Sequence, residues 1–92
     1  MSATILRQIA SYQAIMTSPG SVGDAMTAKY GEGCQAKTAV AVVVRTGSGL
    51  LTVRDTHGQE SSRTLAAGSE WVFAFSAIVT LGGTLSALEV YA

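Results

Sequence analysis

From Thr38 to Ala92, large side chains alternate with small or polar ones in short stretches, each closed by a glycine-bearing turn. Trp71, Phe73 and Phe75 take one set of alternate positions; Glu70, Val72 and Ala74 take the other. Successive side chains of a strand point to opposite faces, and aromatic rings suit a pleated, half-buried surface. The same alternation places Val40, Val42 and Val44 on one face, with Ala39, Ala41, Val43 and Arg45 on the other. Leu51 and Val53 face inward from a stretch ending at Arg54, and Gln59 to Thr64 reads as a polar strand or loop. In the last stretch Leu88 and Val90 face one way, and Ala87, Glu89 and Tyr91 the other. Turns fall at Gly47-Ser48-Gly49, Thr56-His57-Gly58, Ala67-Gly68 and Gly82-Gly83. Short strands at this spacing predict a mostly β chain, a small antiparallel β-sandwich or barrel whose consecutive strands pair as hairpins. The expected core is Val40, Val42, Val44, Leu51, Val53, Trp71, Phe73, Phe75, Leu88 and Val90.

The first part of the chain has a different texture. Ile5, Ile9, Tyr12 and Met16 recur at helical spacing, Leu6 widens the stripe, and Arg7, Gln8 and Ser11 lie off it. This predicts an amphipathic N-terminal helix over residues 1 to about 17, with an extended arm as the alternative. Ser2 or Thr4 can cap its start, and Ser18-Pro19-Gly20 supplies a stop. Residues 18–37 are rich in Gly, Ser and Thr and read as a connector, held by Met26 and Tyr30 or containing a short helix over Ala25 to Tyr30. The chain thus divides into residues 1–37, an N-terminal amphipathic segment with a Gly-rich connector, and residues 38–92, the β domain.

At 92 residues there is room for one thin core. Yet the hydrophobic fraction is 48% and the charged fraction only 13%, against roughly 25% charged residues in ordinary soluble domains. A small domain exposes much of its surface, so a low charge content implies that part of this surface is covered by other chains. Six basic and six acidic residues give a formal net charge of zero, which favours association. Nucleic-acid binding needs a surplus of Lys and Arg against phosphate and is not expected. No apolar run reaches the ~20 residues that span a bilayer, so no membrane partner is expected either. Arg7 and Gln8 break the N-terminal apolar stretch, so no signal peptide is read there.

Residues capable of chemistry are few. Cys34 is the one cysteine, which forbids an internal disulfide and reads as a small buried hydrophobe. His57, the one histidine, sits in a turn between Asp55 and Glu60 and reads as a solvated turn residue, not a metal ligand. Gly31-Glu32-Gly33 and Gly47-Ser48-Gly49 lack the Lys-Ser/Thr of a phosphate loop. No nucleophile elbow is present, and Asp55, Glu60, Glu70 and Glu89 fall at turns or on outward faces. No catalytic residue, metal or cofactor is therefore expected. Trp71 as a sugar-stacking platform would make the chain a small carbohydrate- or ligand-binding module; with Phe73 and Phe75 on the same face, the core position is preferred.

Residues 38–92 resemble the small β-sandwich subunits of tailed-phage virions in Thr46-Gly47-Ser48-Gly49 before a strand, in Ala67-Gly68-Ser69-Glu70-Trp71-Val72-Phe73, and in Leu81-Gly82-Gly83-Thr84-Leu85 before a final strand. The resemblance implies a non-catalytic virion component, such as a capsid decoration, head or tail protein. It would be a homo-oligomer joined to other virion proteins, located in the virion, with the cytoplasm as the alternative. The expected assembly interface is the N-terminal stripe, Ile5, Leu6, Ile9, Tyr12 and Met16, docked on a neighbouring subunit or partner, with packing on its own sheet in an α+β fold as the alternative. The alternative function is the carbohydrate-binding module.

Overall fold

A computed structural model of the chain describes residues 10–92. The elements are β1 (Gln13–Met16), β2 (Gly20–Ser21), α1 (Val22–Tyr30), β3 (Ala39–Thr46), β4 (Gly49–Arg54), β5 (Glu60–Leu65), β6 (Glu70–Phe75), β7 (Ala77–Leu81) and β8 (Ala87–Tyr91). They form two four-stranded sheets, ordered β1-β8-β3-β6 and β2-β7-β4-β5. Every neighbouring pair is antiparallel. The chain is a small antiparallel β-sandwich with one short helix, and the mostly β expectation holds.

The first sheet shows how the alternating pattern becomes a core. Across its strands, Ala14, Val90, Val42 and Trp71 stand in one row, and Met16, Leu88 and Val44 in the next. All seven are buried. They meet Leu51, Val53, Leu65 and Ile78 of the second sheet in a single cluster. A fully buried aliphatic or aromatic side chain contributes about 1.5–3 kcal/mol, an upper value because unfolded chains are already partly collapsed.

Two core positions depart from expectation. From Val42 to Ala39, β3 advances three residues, while its partner β6 advances four, from Trp71 to Phe75. All four of these residues are in the core, so β3 skips one step of its alternation. Val40 is thereby turned outward, and it is 46% exposed. Phe73 is only half-buried; its ring stacks on Trp71, with centroids 5.0 Å apart.

The connections also differ. Of the strands that follow one another, only β4 and β5 pair as a hairpin. The links β3–β4, β5–β6, β6–β7 and β7–β8 each cross from one sheet to the other. A glycine-bearing turn can be read from sequence, but whether it stays in a sheet depends on which strands pair. Two of these crossing turns are stapled together. Ser48 N donates to Thr84 Oγ1 at 3.0 Å, Thr84 N to Ser48 O at 2.8 Å, and Gly82 N to Leu50 O at 2.9 Å. Gly47 has φ +93, and a Cβ on it would stand 1.9 Å from Thr84 O. Gly58, in the β4–β5 turn, has φ +84 but open space around it. Gly47→Ala is therefore expected to cost about 3 kcal/mol or more, and Gly58→Ala about 1 kcal/mol, since only the first adds a backbone collision to the conformational strain. Urea unfolding midpoints of the two variants check this.

The described residues before β3 pack with the sandwich. Gln13–Met16, within the segment expected to be a helix or an extended arm, is a strand paired with β8 from Gln13↔Tyr91 to Met16↔Leu88. Tyr12 and Ala92 extend the ladder by exchanging backbone hydrogen bonds at 2.9 Å. The helix lies later, inside the expected connector. Ser21 caps it by accepting from Asp24 N at 3.0 Å, and Gly31, with φ +95, ends it. Val22 and Met26, one turn apart, are its buried residues. A boundary at residue 37 thus does not divide the packing: β1 and β2 contribute to the two sheets, and Ala14, Met16, Val22 and Met26 to the common core.

Candidate assembly interface

Of the residues expected to form an assembly interface, Ile5, Leu6 and Ile9 lie outside the described residues. Met16 is 6% exposed and belongs to the core of its own sandwich. Tyr12 is half-buried against that core, its ring edge-on to Tyr30 at 5.1 Å. These two side chains are committed within the chain, and exposed apolar surface must be sought elsewhere. Among the described residues the exposed large hydrophobics are Ile15, Tyr30, Val40, Leu50 and Val72. Val72 is the most open, at 59%.

The outer face of the first sheet reads in two rows: Ile15, Glu89, Val43 and Glu70, then Gln13, Tyr91, Ala41 and Val72. An antiparallel sheet commonly presents one wet face. Here the middle of that face is buried: Ala41, Val43 and Tyr91 form a second apolar cluster, against which Ala10 packs. Glu89, which alternation places outward, is only 4% exposed. Its carboxylate accepts from Arg45 at 2.6 Å and from the Tyr91 hydroxyl. The charge is held by hydrogen bonds, as burial requires. Exposed apolar surface is left at the rims, with Ile15 on β1 and Val72 on β6.

Four strands lie at sheet edges, and three are guarded in different ways. Along β1, Gln13 O accepts from Lys29 Nζ at 2.7 Å and from Tyr30 Oη at 2.9 Å, so the end of α1 covers that strand. Strand β2 has two residues, too few to template a partner. Strand β5 carries Glu60 and Arg63 and is mostly exposed and polar. Strand β6 is six residues long, reads EWVFAF, and has one charged residue, at its start. Long, flat, apolar edges invite pairing with another chain, and charge or cover is what normally prevents it. A sequence signal for this existed: the strongest apolar alternation in the chain lies on β6. What the sequence does not give is that β6 is at an edge.

The remaining candidate sites are assembled differently. Asp55 Oδ1 accepts from His57 N at 2.8 Å and from Gln59 N at 2.9 Å, which shapes the turn that carries His57. Glu60 lies 3.6 Å from Arg54, with both side chains about half exposed. Among the described residues no group of three His, Cys, Asp or Glu side chains could hold a metal ion. Cys34 is half-buried and packs on the core. A groove of about 640 Å³ runs beside α1 and is lined in part by Asp24, Glu32, Cys34, Lys37, Arg54 and Ser76. Two cations and two carboxylates share it, so it selects neither sign of ligand. Trp71 is 8% exposed and faces the core, so its ring offers no open platform to a sugar. No helix of the described residues is long and apolar enough to cross a membrane.

Comparison with known proteins found no matching family model, no similar curated protein and no matching solved structure. What the geometry of the described residues defines is a class: a two-sheet antiparallel sandwich with a largely apolar strand at one edge.

Proposed function

We propose that the chain is a non-catalytic structural subunit that joins copies of itself in a larger particle, as small β-sandwich subunits do in tailed-phage virions. The observation that carries this reading is β6, a largely apolar strand at a sheet edge among the described residues, with one charged residue, at its start, and with Val72 59% exposed. Two properties of the whole chain support it. Charged residues are only 13% of the sequence, and the formal net charge is zero, so copies do not repel one another. Among the described residues, four of the five exposed large hydrophobic side chains lie on strands, where a second sheet can meet them: Ile15, Val40, Leu50 and Val72. A particle component needs no strong pairwise contact, because many weak contacts in a closed lattice act together. Negative-stain imaging of the concentrated, purified chain tests the reading. Rings, tubes or sheets of regular repeat are expected; a field of dispersed single subunits at every concentration contradicts it.

A further inference from the structure

We propose that β6 is the strand through which two copies join, antiparallel and edge to edge, about a two-fold axis at Val72. The inference rests on the assembly reading and names its contact. Strand addition to a sheet edge needs free backbone groups on one side of a strand and side chains that tolerate a close neighbour. Strand β6 pairs with β3 on one side, and among the described residues no strand follows it on the other. Its outward side chains are Glu70 at the start of the strand, then Val72, 59% exposed, and Ala74, also exposed.

The chemistry of the strand favours a second copy as the occupant. Residues directly opposed in an antiparallel pair lie on the same face of the sheet. Trp71 faces the core, so its opposite number must face the core too. That requires an axis through a residue; an axis between Val72 and Phe73 would set core-facing Trp71 against outward Ala74. With the axis at Val72, Val72 meets Val72 of the second copy, Trp71 meets Phe73, and Glu70 meets Ala74. No charge faces its own copy. Val72, the most exposed large hydrophobic among the described residues, is covered, and an aromatic pair forms across the join, an arrangement that stabilises antiparallel pairs. Two four-stranded sheets then become one eight-stranded sheet, ordered β1-β8-β3-β6 and onward in mirror order through the second copy.

The size of the contact sets its strength. A strand of this length extends about 20 Å, and its pairing with another covers less than the ~1,200 Å² at the lower end of standard interfaces. The free dimer is therefore weak and reversible, and covalent trapping is the suitable probe. The full chain is prepared with Cys34→Ser, so that no native thiol remains, and with Val72→Cys. Opposed residues in the proposed register have Cβ atoms about 4.5–5.5 Å apart, close to what a disulfide bridges. Under a glutathione redox buffer, most of the chain is expected to become disulfide-linked dimer. A Leu50→Cys control on the Cys34→Ser chain, comparably exposed but away from β6, is expected to stay mostly monomeric. Equal cross-linking of the two overturns the proposal. As a second readout, Val72→Lys places a charge on the edge and is expected to shift the wild-type association at least tenfold to higher concentration, with an unchanged far-UV spectrum and melting midpoint. Should that variant not fold, Ala74→Glu serves in its place, since it sets a like charge opposite Glu70 of the second copy. If wild type and the charged variant associate alike, β6 is not the contact while the assembly reading stands; if the wild type never associates, the assembly reading falls and β6 pairing with it.

Discussion

Removing residues 1–17 is expected to unfold the whole chain. The deletion takes away β1 and with it four cross-strand pairs to β8, from Gln13↔Tyr91 to Met16↔Leu88. It also removes the paired backbone bonds between Tyr12 and Ala92, and the core side chains Ala14 and Met16. Loss of a buried Met side chain alone costs about 2–5 kcal/mol. A domain of this size has a total stability of about 5–14 kcal/mol, so the lost packing, the lost ladder and the newly uncovered edge of β8 together exceed what it can bear. Far-UV circular dichroism and thermal melting check the outcome: the truncated chain should show no cooperative transition. A truncated chain that melts cooperatively near the wild-type midpoint would restore the idea that this segment is a detachable arm, and would contradict the strand assignment of Gln13–Met16.

The second large effect lies in the middle of the sandwich. Phe75 is fully buried, pairs with Ala39 and belongs to the main core cluster. Phe75→Ala is expected to cost about 3–5 kcal/mol, through lost transfer energy and the cavity left behind. Phe73→Ala should cost clearly less, because Phe73 is only half-buried and can be replaced partly by water. Urea denaturation of both variants gives the comparison, with unchanged slopes if only stability is altered. Equal losses for the two would mean that Phe73 is as deep in the core as Phe75.

These expectations mark where the fold is legible in the sequence. Val42, Val44, Leu51, Val53, Trp71, Phe75, Leu88 and Val90 all lie in the core, because period-two alternation is a local property that each strand carries alone. Val40 escaped the same reasoning. Its outward turn follows from a mismatch in step between β3 and β6, a relation between two strands that neither strand's pattern contains. Helical spacing misled at the N-terminal end for a similar reason. Tyr12 and Met16 are four residues apart, but so short a segment takes its structure from its surroundings, and the open edge of β8 was there to pair with it. A competing signal was present: Ala14 and Met16 alternate with Ile15, and in the structure they are buried while Ile15 is exposed. The helix start was legible as well, since Ser21 followed three residues later by Asp24 is a capping pattern.

The candidate interface was harder to read. The expected docking residues Tyr12 and Met16 proved to be partners of the chain's own core. An apolar residue near a terminus looks the same in sequence whether it packs inward or waits for a neighbour. Glu89 shows the converse: alternation sets it outward, yet it is buried because Arg45 and Tyr91 supply hydrogen bonds. Strand β6 stood out in the sequence for its alternation, but its exposure follows from strand order, and strand order is decided by which turns cross between sheets.

The central claim is that this chain acts by associating with its own copies. Sedimentation equilibrium of the intact chain, from about 10 μM to about 1 mM, covers the range in which small edge-to-edge contacts act. The weight-average mass should rise with concentration from 9.4 kDa toward twice that value and beyond. A mass that stays at 9.4 kDa across the whole range would contradict it.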